Sequence, residues 1–211
     1  MLYNPYELIP WINQRSVKGV IHIGAHMCEE KQYYNCFLNI TDDRILWVEA
    51  NPQIAIQAQI SNPTVKIVTA LCSNEDGKQV EFMITNNGQS SSMLEFGTHT
   101  THHPGVVSIG KQMLTTTTLD TLCKDFEWTK DCNMMNIDVQ GAELMVLQGA
   151  TELLKHIDLI YTEVNIEEVY KGCCLMSDLD RFLEPFGFVR VTTKMTDWNW
   201  GDALYQKRLK K

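Results

Sequence analysis

The stretch Gly19-Val20-Ile21-His22-Ile23-Gly24-Ala25-His26-Met27-Cys28-Glu29-Glu30 decides how the rest of the chain is read. The run Val20 to Ile23 reads as a buried strand. It stops at Gly24-Ala25, and a polar, helix-compatible segment follows at once, with Tyr34, Phe37 and Leu38 at helical spacing over 27–38. A strand, a tight glycine turn and a helix is how α/β proteins build a nucleotide pocket. A dinucleotide site wants G-x-G-x-x-G, whose glycines admit a pyrophosphate to the helix N-terminus. Only the first glycine is present here. Glu29 and Glu30 fall in the first turns of the expected helix, where they suit its dipole but would repel a pyrophosphate. A phosphate-free cofactor with a positive centre, such as S-adenosylmethionine, meets no such conflict.

The 211 residues fit one domain with a sizeable core. A composition 44% hydrophobic and 21% charged is that of an ordinary globular protein. No apolar run approaches the roughly 20 residues of a membrane span. Met1-Leu2-Tyr3-Asn4-Pro5 lacks the basic start and apolar core of a signal peptide, so the cytoplasm is the expected compartment. The seven cysteines are scattered and form no C-x-x-C, which suits reduced thiols. A net charge of -8 argues against a duplex nucleic-acid binder. The basic tail Lys207-Arg208-Leu209-Lys210-Lys211 reads as a solvated end.

Outward from the opening stretch, residues 1–18 read as a covering segment anchored by Tyr6, Leu8, Ile9, Trp11 and Ile12. Strands are expected at 19–24, 44–50, 65–72, 79–85, 133–139 and 159–164, with two more at 188–195 and 203–207 around a turn at 198–202. Asn51-Pro52 is a helix start, with Asn as cap and Pro in the first turn. Further helices are expected from Thr118, over 142–156, and from Ser177 to Gly187, the last opening with a capping-box-like S-x-x-D. Residues 86–113 are polar and irregular, which in a compact domain marks a functional loop or lid. The alternation of strand and helix implies a mostly parallel sheet with an antiparallel strand near one edge.

Several residues carry chemistry. Glu49 ends the second strand, where an acid can take both ribose hydroxyls of a bound nucleoside; the alternative is a capping or solvated acid. Asn51 either caps its helix or touches the cofactor. Asp138, at the end of a core strand, lies at the crevice where open α/β sheets bind ligands. There it can meet an ammonium, orient a hydroxyl or act as general base. Glu163 and Asn165 end the next strand and face the same crevice. Glu143 either supports the site or stabilises a helix dipole. His22 reads as a packed strand residue and His26 as a cofactor contact. His99, His102 and His103 match no zinc signature, so no metal is expected. Trp198 and Trp200 read as rim packing.

Taken together, H-I-G-A-H-M-C-E-E (22–30), V-E-A-N-P (48–52), T-L-D-T-L (118–122), N-I-D-V-Q-G-A-E (136–143), Y-T-E-V-N (161–165), F-L-E-P-F-G-F (182–188) and W-G-D-A-L-Y (200–205) resemble the FkbM-type S-adenosylmethionine-dependent methyltransferases. The resemblance implies the class I methyltransferase fold, a Rossmann-like three-layer α/β sandwich on a seven-stranded sheet with one antiparallel strand. It also implies methyl transfer to a hydroxyl, often on a sugar or secondary metabolite. Carried over by position, Gly24, Ala25 and His26 line the methionine part, Glu49 the ribose with Ala50 and Asn51 beside it, Ala70 and Leu71 the adenine, and Asp138 the reacting end. The chain departs from the family's frequent K-x-D-x-E-G-x-E, with Asn136 and Gln140 in place of the Lys and first Glu. Cys28 stands where a second glycine is frequent.

The expected function is therefore O-methyl transfer from S-adenosylmethionine to a small-molecule or glycan hydroxyl, with Asp138 as base and Glu163 or a loop histidine as alternates. A nicotinamide-dependent reductase is a rival that would need the missing glycines. A non-catalytic binding module is a second rival, raised by Asn136 and Gln140.

Overall fold

The computed structural model describes residues 1–12 and 16–208; Leu209, Lys210 and Lys211 of the basic tail lie outside the described residues. The strands are β1 (Val20–Ile23), β2 (Ile45–Glu49), β3 (Ile67–Thr69), β4 (Leu71–Cys72), β5 (Gln79–Thr85), β6 (Ser108–Thr117), β7 (Met134–Ile137), β8 (Leu159–Asn165), β9 (Phe188–Met195) and β10 (Trp200–Lys207). Every residue of β1, β2, β7 and β8 is buried, as in a parallel sheet covered on both faces. These four are the centre of a seven-stranded sheet in the order β3-β2-β1-β7-β8-β10-β9. All the pairs from β3 to β8 are parallel, and β10 runs antiparallel to both its neighbours.

Alternate side chains feed two cores, one on each face of the sheet. On one face Ile21, Leu46, Met135 and Ile160 pack against Val146, Leu147, Leu179 and Leu183 of the helices Glu143–Gln148 and Met176–Leu183. On the other, Trp47, Met134, Leu159 and Leu204 pack under Leu8, Ile12, Tyr34 and Ala58. Those come from the helices Pro5–Ile12, Lys31–Phe37 and Pro52–Ser61. The result is the three-layer α/β arrangement that the strand and helix pattern implies. Among the described residues no helix is long and apolar enough to cross a membrane.

Local chemistry sets the element ends. Asn51 caps its helix, its Oδ1 accepting from the backbone N–H of Gln53 (3.0 Å) and Ile54 (3.4 Å), with Pro52 in the first turn. The box expected at Ser177–Asp180 is not where the helix is capped: Leu175 is the N-cap, and the Asp178 carboxylate accepts its N–H at 3.0 Å, while Asp180 meets Arg190 and Tyr205 instead. Gly187, at φ 87°, closes the following turn before β9.

Five further expectations are corrected. The helix placed over 27–38 begins only at Lys31, because His26 (φ 42°) and Cys28 (φ 61°) are left-handed; Glu29 and Glu30 therefore precede it. The strand at 65–72 splits at Ala70, so that β3 stays with β2 while β4 turns away to pair with Thr116 and Thr117 of β6. The helix over 142–156 stops at Gln148, since Gly149 is pressed so close to Ser73 that a Cβ would stand 2.1 Å from its carbonyl oxygen. The stretch 86–113 contains the start of β6, whose residues Ser108–Met113 are exposed and so carry no alternation. Tyr6 is exposed rather than anchoring, while Leu8 and Ile12 of the same helix are buried.

Candidate active site

The register of the sheet brings the acids together. Ile23 pairs with Val48 and Ile137, and Ile137 with Thr162, so the residues one step on are level: Glu49, Gly24, Asp138 and Glu163. Glu163 in turn pairs with Asp202 of β10. One row across the edge of the sheet thus carries four carboxylates with a glycine between the first two. Two residues back lies a second row on the same face, made of Trp47, His22, Asn136, Tyr161 and Leu204.

Gly24 sits at φ 84° with its N–H and that of Ala25 on the Val48 carbonyl (2.9 and 3.0 Å). Glu49 reaches over this turn. Its Oε2 accepts the His26 N–H at 2.8 Å and its Oε1 the Asn51 N–H at 2.7 Å, so one carboxylate clamps the turns after β1 and β2. Burial pushes the Glu49 carboxyl up, partly offset by those two donors. His26 Nδ1 lies 2.6 Å from Glu29, a contact that raises the imidazole's pKa.

Asp138 faces the crevice with its carboxylate open to it, while protein encloses it on the other sides. That enclosure, with Asp202 nearby, pushes its carboxyl up to about 6. Gln140 Nε2 donates to Asp138 Oδ1 (2.6 Å) and to Glu163 Oε2 (3.1 Å). Glu163 is buried, and burial beside Asp138 and Glu143 drives its carboxyl well upward. Below them Glu143 is fully buried, its Oε1 accepting the N–H groups of Val139 and Gly141 at 3.1 Å each. These bonds brace the loop between β7 and the helix, and burial pushes Glu143 up to about 7. Asp138 and Glu163 thus share one amide donor, and burial holds both carboxyls above the usual carboxylate range.

The second row is ordered by a relay. Asn136 Nδ2 donates to the Tyr34 hydroxyl at 2.7 Å, which leaves that hydroxyl's proton for His22 Nδ1 at 3.0 Å. His22 is therefore the packed, hydrogen-bonded strand residue expected; burial lowers its pKa. Asp202 takes the Tyr161 hydroxyl and, at 2.5 Å, the Leu2 N–H.

These groups surround a cavity of about 430 Å³. Of the residues singled out from sequence, Gly24, His26, Glu49, Ala50, Ala70, Leu71, Asp138 and Glu163 line it. Ala25 and Asn51 are buried beside it and do not, Asn51 because its side chain is committed to the helix cap. Asn165 is also buried away from it. His99, His103 and Trp200 line the far wall, where His99 stacks on Phe96 with ring centres 4.4 Å apart. Sequence reasoning missed Asp202, placed in a turn, and Tyr170, whose hydroxyl is 2.7 Å from Gln140 Oε1. The alternation of Trp200, Asp202 and Leu204 is the signal that Asp202 belongs to a strand. Tyr170 sits in an irregular loop and carries no signal. Among the described residues no cluster of three or more His, Cys, Asp or Glu is placed to hold a metal ion.

A model of the methyltransferase FkbM domain matches residues 22–190. No curated protein matches the chain. Among solved structures, methyltransferase FkbM from Methylobacillus flagellatus KT is similar over 96% of this chain and 48% of its own, at 12% identity and a TM-score of 0.58. A protein in the NADB-Rossmann superfamily from Streptococcus agalactiae is similar over 98% of this chain and 69% of its own, at 11% identity and a TM-score of 0.53. The chain spans about half the length of the first. At these identities the likeness is one of fold.

Proposed function

The chain belongs to the FkbM methyltransferase family, and on that premise we propose that it is an S-adenosylmethionine-dependent O-methyltransferase acting on a hydroxyl of a small molecule or glycan. The observation that carries this is the lining of the cavity. Glu29, Glu30, Glu49, Asp138, Glu163 and Asp202 contribute carboxyl groups, with the Met1 ammonium beside Glu30, and among the described residues no lysine or arginine lines it. Such walls suit a ligand with a sulfonium and an ammonium and oppose a pyrophosphate. The same fact disfavours a nicotinamide dinucleotide.

In this reading Gly24 and His26 flank the methionine part. Glu49 takes the ribose diol with the lone pairs left beside its two N–H bonds. Ala50, Ala70 and Leu71 form the apolar seat of the adenine. When bound, the cofactor supplies a methyl group on a positively charged sulfur. The protein's tasks are then alignment and proton removal, with reacting atoms held about 3–3.5 Å apart. Asp138, raised toward neutral pH, accepts the hydroxyl proton. Burial disfavours the charged form of Glu163, which lessens its repulsion of Asp138. Residues 86–113 act as the lid that excludes water, residues 1–12 and 16–18 as a cover over the same single domain, and the cytoplasm as its compartment.

Calorimetry with S-adenosylmethionine, its demethylated product and NAD tests the cofactor. The expected result is binding of the first two and not the third; NAD binding alone overturns the proposal. Turnover against a panel of glycans and small alcohols tests the acceptor. Asp138→Ala is expected to abolish methylation while leaving cofactor binding intact, and near-normal methylation removes Asp138 from the mechanism.

A further inference from the structure

The Gln140 side chain meets three others in the crevice, Asp138, Glu163 and Tyr170. It sits at φ 56°, a left-handed conformation that costs a non-glycine residue of order 1 kcal/mol. Its backbone carbonyl accepts the Ser92 hydroxyl at 2.8 Å. Its Nε2 donates to Asp138 at 2.6 Å and to Glu163 at 3.1 Å. Its Oε1 lies 2.7 Å from the Tyr170 hydroxyl. A side-chain amide has two N–H protons and one acceptor oxygen. Here the two protons meet two carboxylates, and the oxygen meets a group that can donate.

We infer that Gln140 is a positioning residue that holds Asp138 and Glu163 as a pair through one amide, and that Tyr170 fixes which way the amide points. With its oxygen turned to the Tyr170 hydroxyl, the nitrogen must face the carboxylates. Turned the other way, the oxygen would face two acids and the nitrogen would face Tyr170. Tyr170 is itself packed between Phe96 (ring centres 5.7 Å apart) and His99 (5.4 Å), and its hydroxyl is 3.3 Å from the Ser90 carbonyl. Ser92 adds the second tie from the same segment. The amide's orientation therefore depends on residues 90–99 being seated against the loop that carries Tyr170. Seating that segment is what completes the carboxylate pair.

The titratable groups that face Asp138 are Glu163 and Asp202 from β8 and β10, Glu143 from the helix beneath, and Glu30 and His26 from the segment after β1. Tyr170 and the amino terminus complete the set. Of these, the Gln140 amide is the donor that both Asp138 and Glu163 share.

The inference deepens the proposed function, since its catalytic meaning rests on Asp138 as base, but its test does not need turnover. Side-chain carboxyl resonances of 13C-labelled protein are followed from pH 4 to 9, with Asp138 assigned by comparison with Asp138→Asn. Gln140→Ala removes the shared donor, and the Asp138 midpoint is expected to rise by about one unit. Tyr170→Phe removes one oxygen atom, keeps the ring packing, and is expected to move the same midpoint in the same direction by less. An unmoved Asp138 midpoint in Gln140→Ala, with the amide spectrum still dispersed, overturns the role of Gln140. A shift in Gln140→Ala but none in Tyr170→Phe overturns the orienting role of Tyr170. S-adenosylmethionine titrated into the same samples tests the cofactor separately, so a failure there leaves the pairing result readable.

Discussion

Gly24 and Asp138 touch through their backbones: a Cβ on Gly24 would stand 1.7 Å from the Asp138 carbonyl oxygen, at a φ of 84° that L side chains rarely adopt. The glycine that ends β1 is thus needed twice, once for its turn and once for the approach of the strand that delivers the acid. Gly24→Ala must push β1 and β7 apart at their carboxyl ends. Urea unfolding should show a loss of about 3 kcal/mol or more, with cofactor binding lost as well. A variant of normal stability would mean the two strands can separate freely.

Glu49 makes a second prediction, because both its oxygens already hold backbone N–H groups, those of His26 and Asn51. Gln cannot replace it: an amide offers one acceptor oxygen, and its NH2 would face the remaining N–H. Glu49→Gln and Glu49→Ala should therefore both weaken S-adenosylmethionine at least about tenfold in calorimetry, with about 1–3 kcal/mol lost from the charge-assisted bonds. If Gln retained full affinity, neither the clamp nor the ribose contact would need the carboxylate.

The main sheet is legible in the sequence because β1, β2, β7 and β8 are mostly apolar runs, broken inside only by His22, Asn136 and Thr162, that end in or just before Gly24, Glu49, Asp138 and Glu163–Asn165. Periodicity and strand ends alone place three of the four carboxylates of the row. Asp202 escapes because the turn before β10 is rich in Trp, Asn and Gly, and these hide where the strand begins. The break of β3 from β4 escapes because both halves are apolar; only the partner strand β6, 45 residues on at Thr116 and Thr117, tells them apart. Gln140 stands out in sequence only as a departure from a family pattern, and its work depends on Tyr170, thirty residues away. Contacts of that kind are tertiary, and no local rule encodes them.

The far wall makes a third prediction through Gly97. A Cβ there would stand 2.1 Å from the Glu168 carbonyl oxygen, and the N–H groups of Gly97, Thr98 and His99 bond to Val169, Glu168 and Val169 carbonyls at 2.9, 3.0 and 3.1 Å. These bonds seat residues 97–99 on the loop after β8 without involving the main sheet. Gly97→Ala should unseat this segment while β1, β2, β7 and β8 keep their protection. Hydrogen exchange reads this directly: faster exchange confined to residues 94–103 and 166–172 is expected. Unchanged exchange there would show that the segment does not depend on this contact.

The last prediction concerns Glu143, which is fully buried with its Oε2 left without a hydrogen-bond partner. Burial pushes its carboxyl up to about 7, against an unfolded value near the usual 4.3. An acid raised on folding binds its proton more tightly in the native state, so between about pH 4 and 7 the native protein holds the extra proton. Stability from this group is present at the acid end and is lost as pH rises through that window. Glu143→Gln keeps an oxygen for the Val139 and Gly141 N–H groups and removes the ionisation. It should therefore be more stable than the parent by about 3 kcal/mol at pH 8, with the gap narrowing to about 1 kcal/mol at pH 5. Glu143→Ala, which leaves both N–H groups unpaired, should be less stable than the parent at pH 5 by about 1–3 kcal/mol. Urea unfolding across pH 5–8 separates these outcomes; a Gln variant less stable than the parent at pH 8 would mean that the buried charge, and not the neutral acid, braces the loop between Asp138 and its helix.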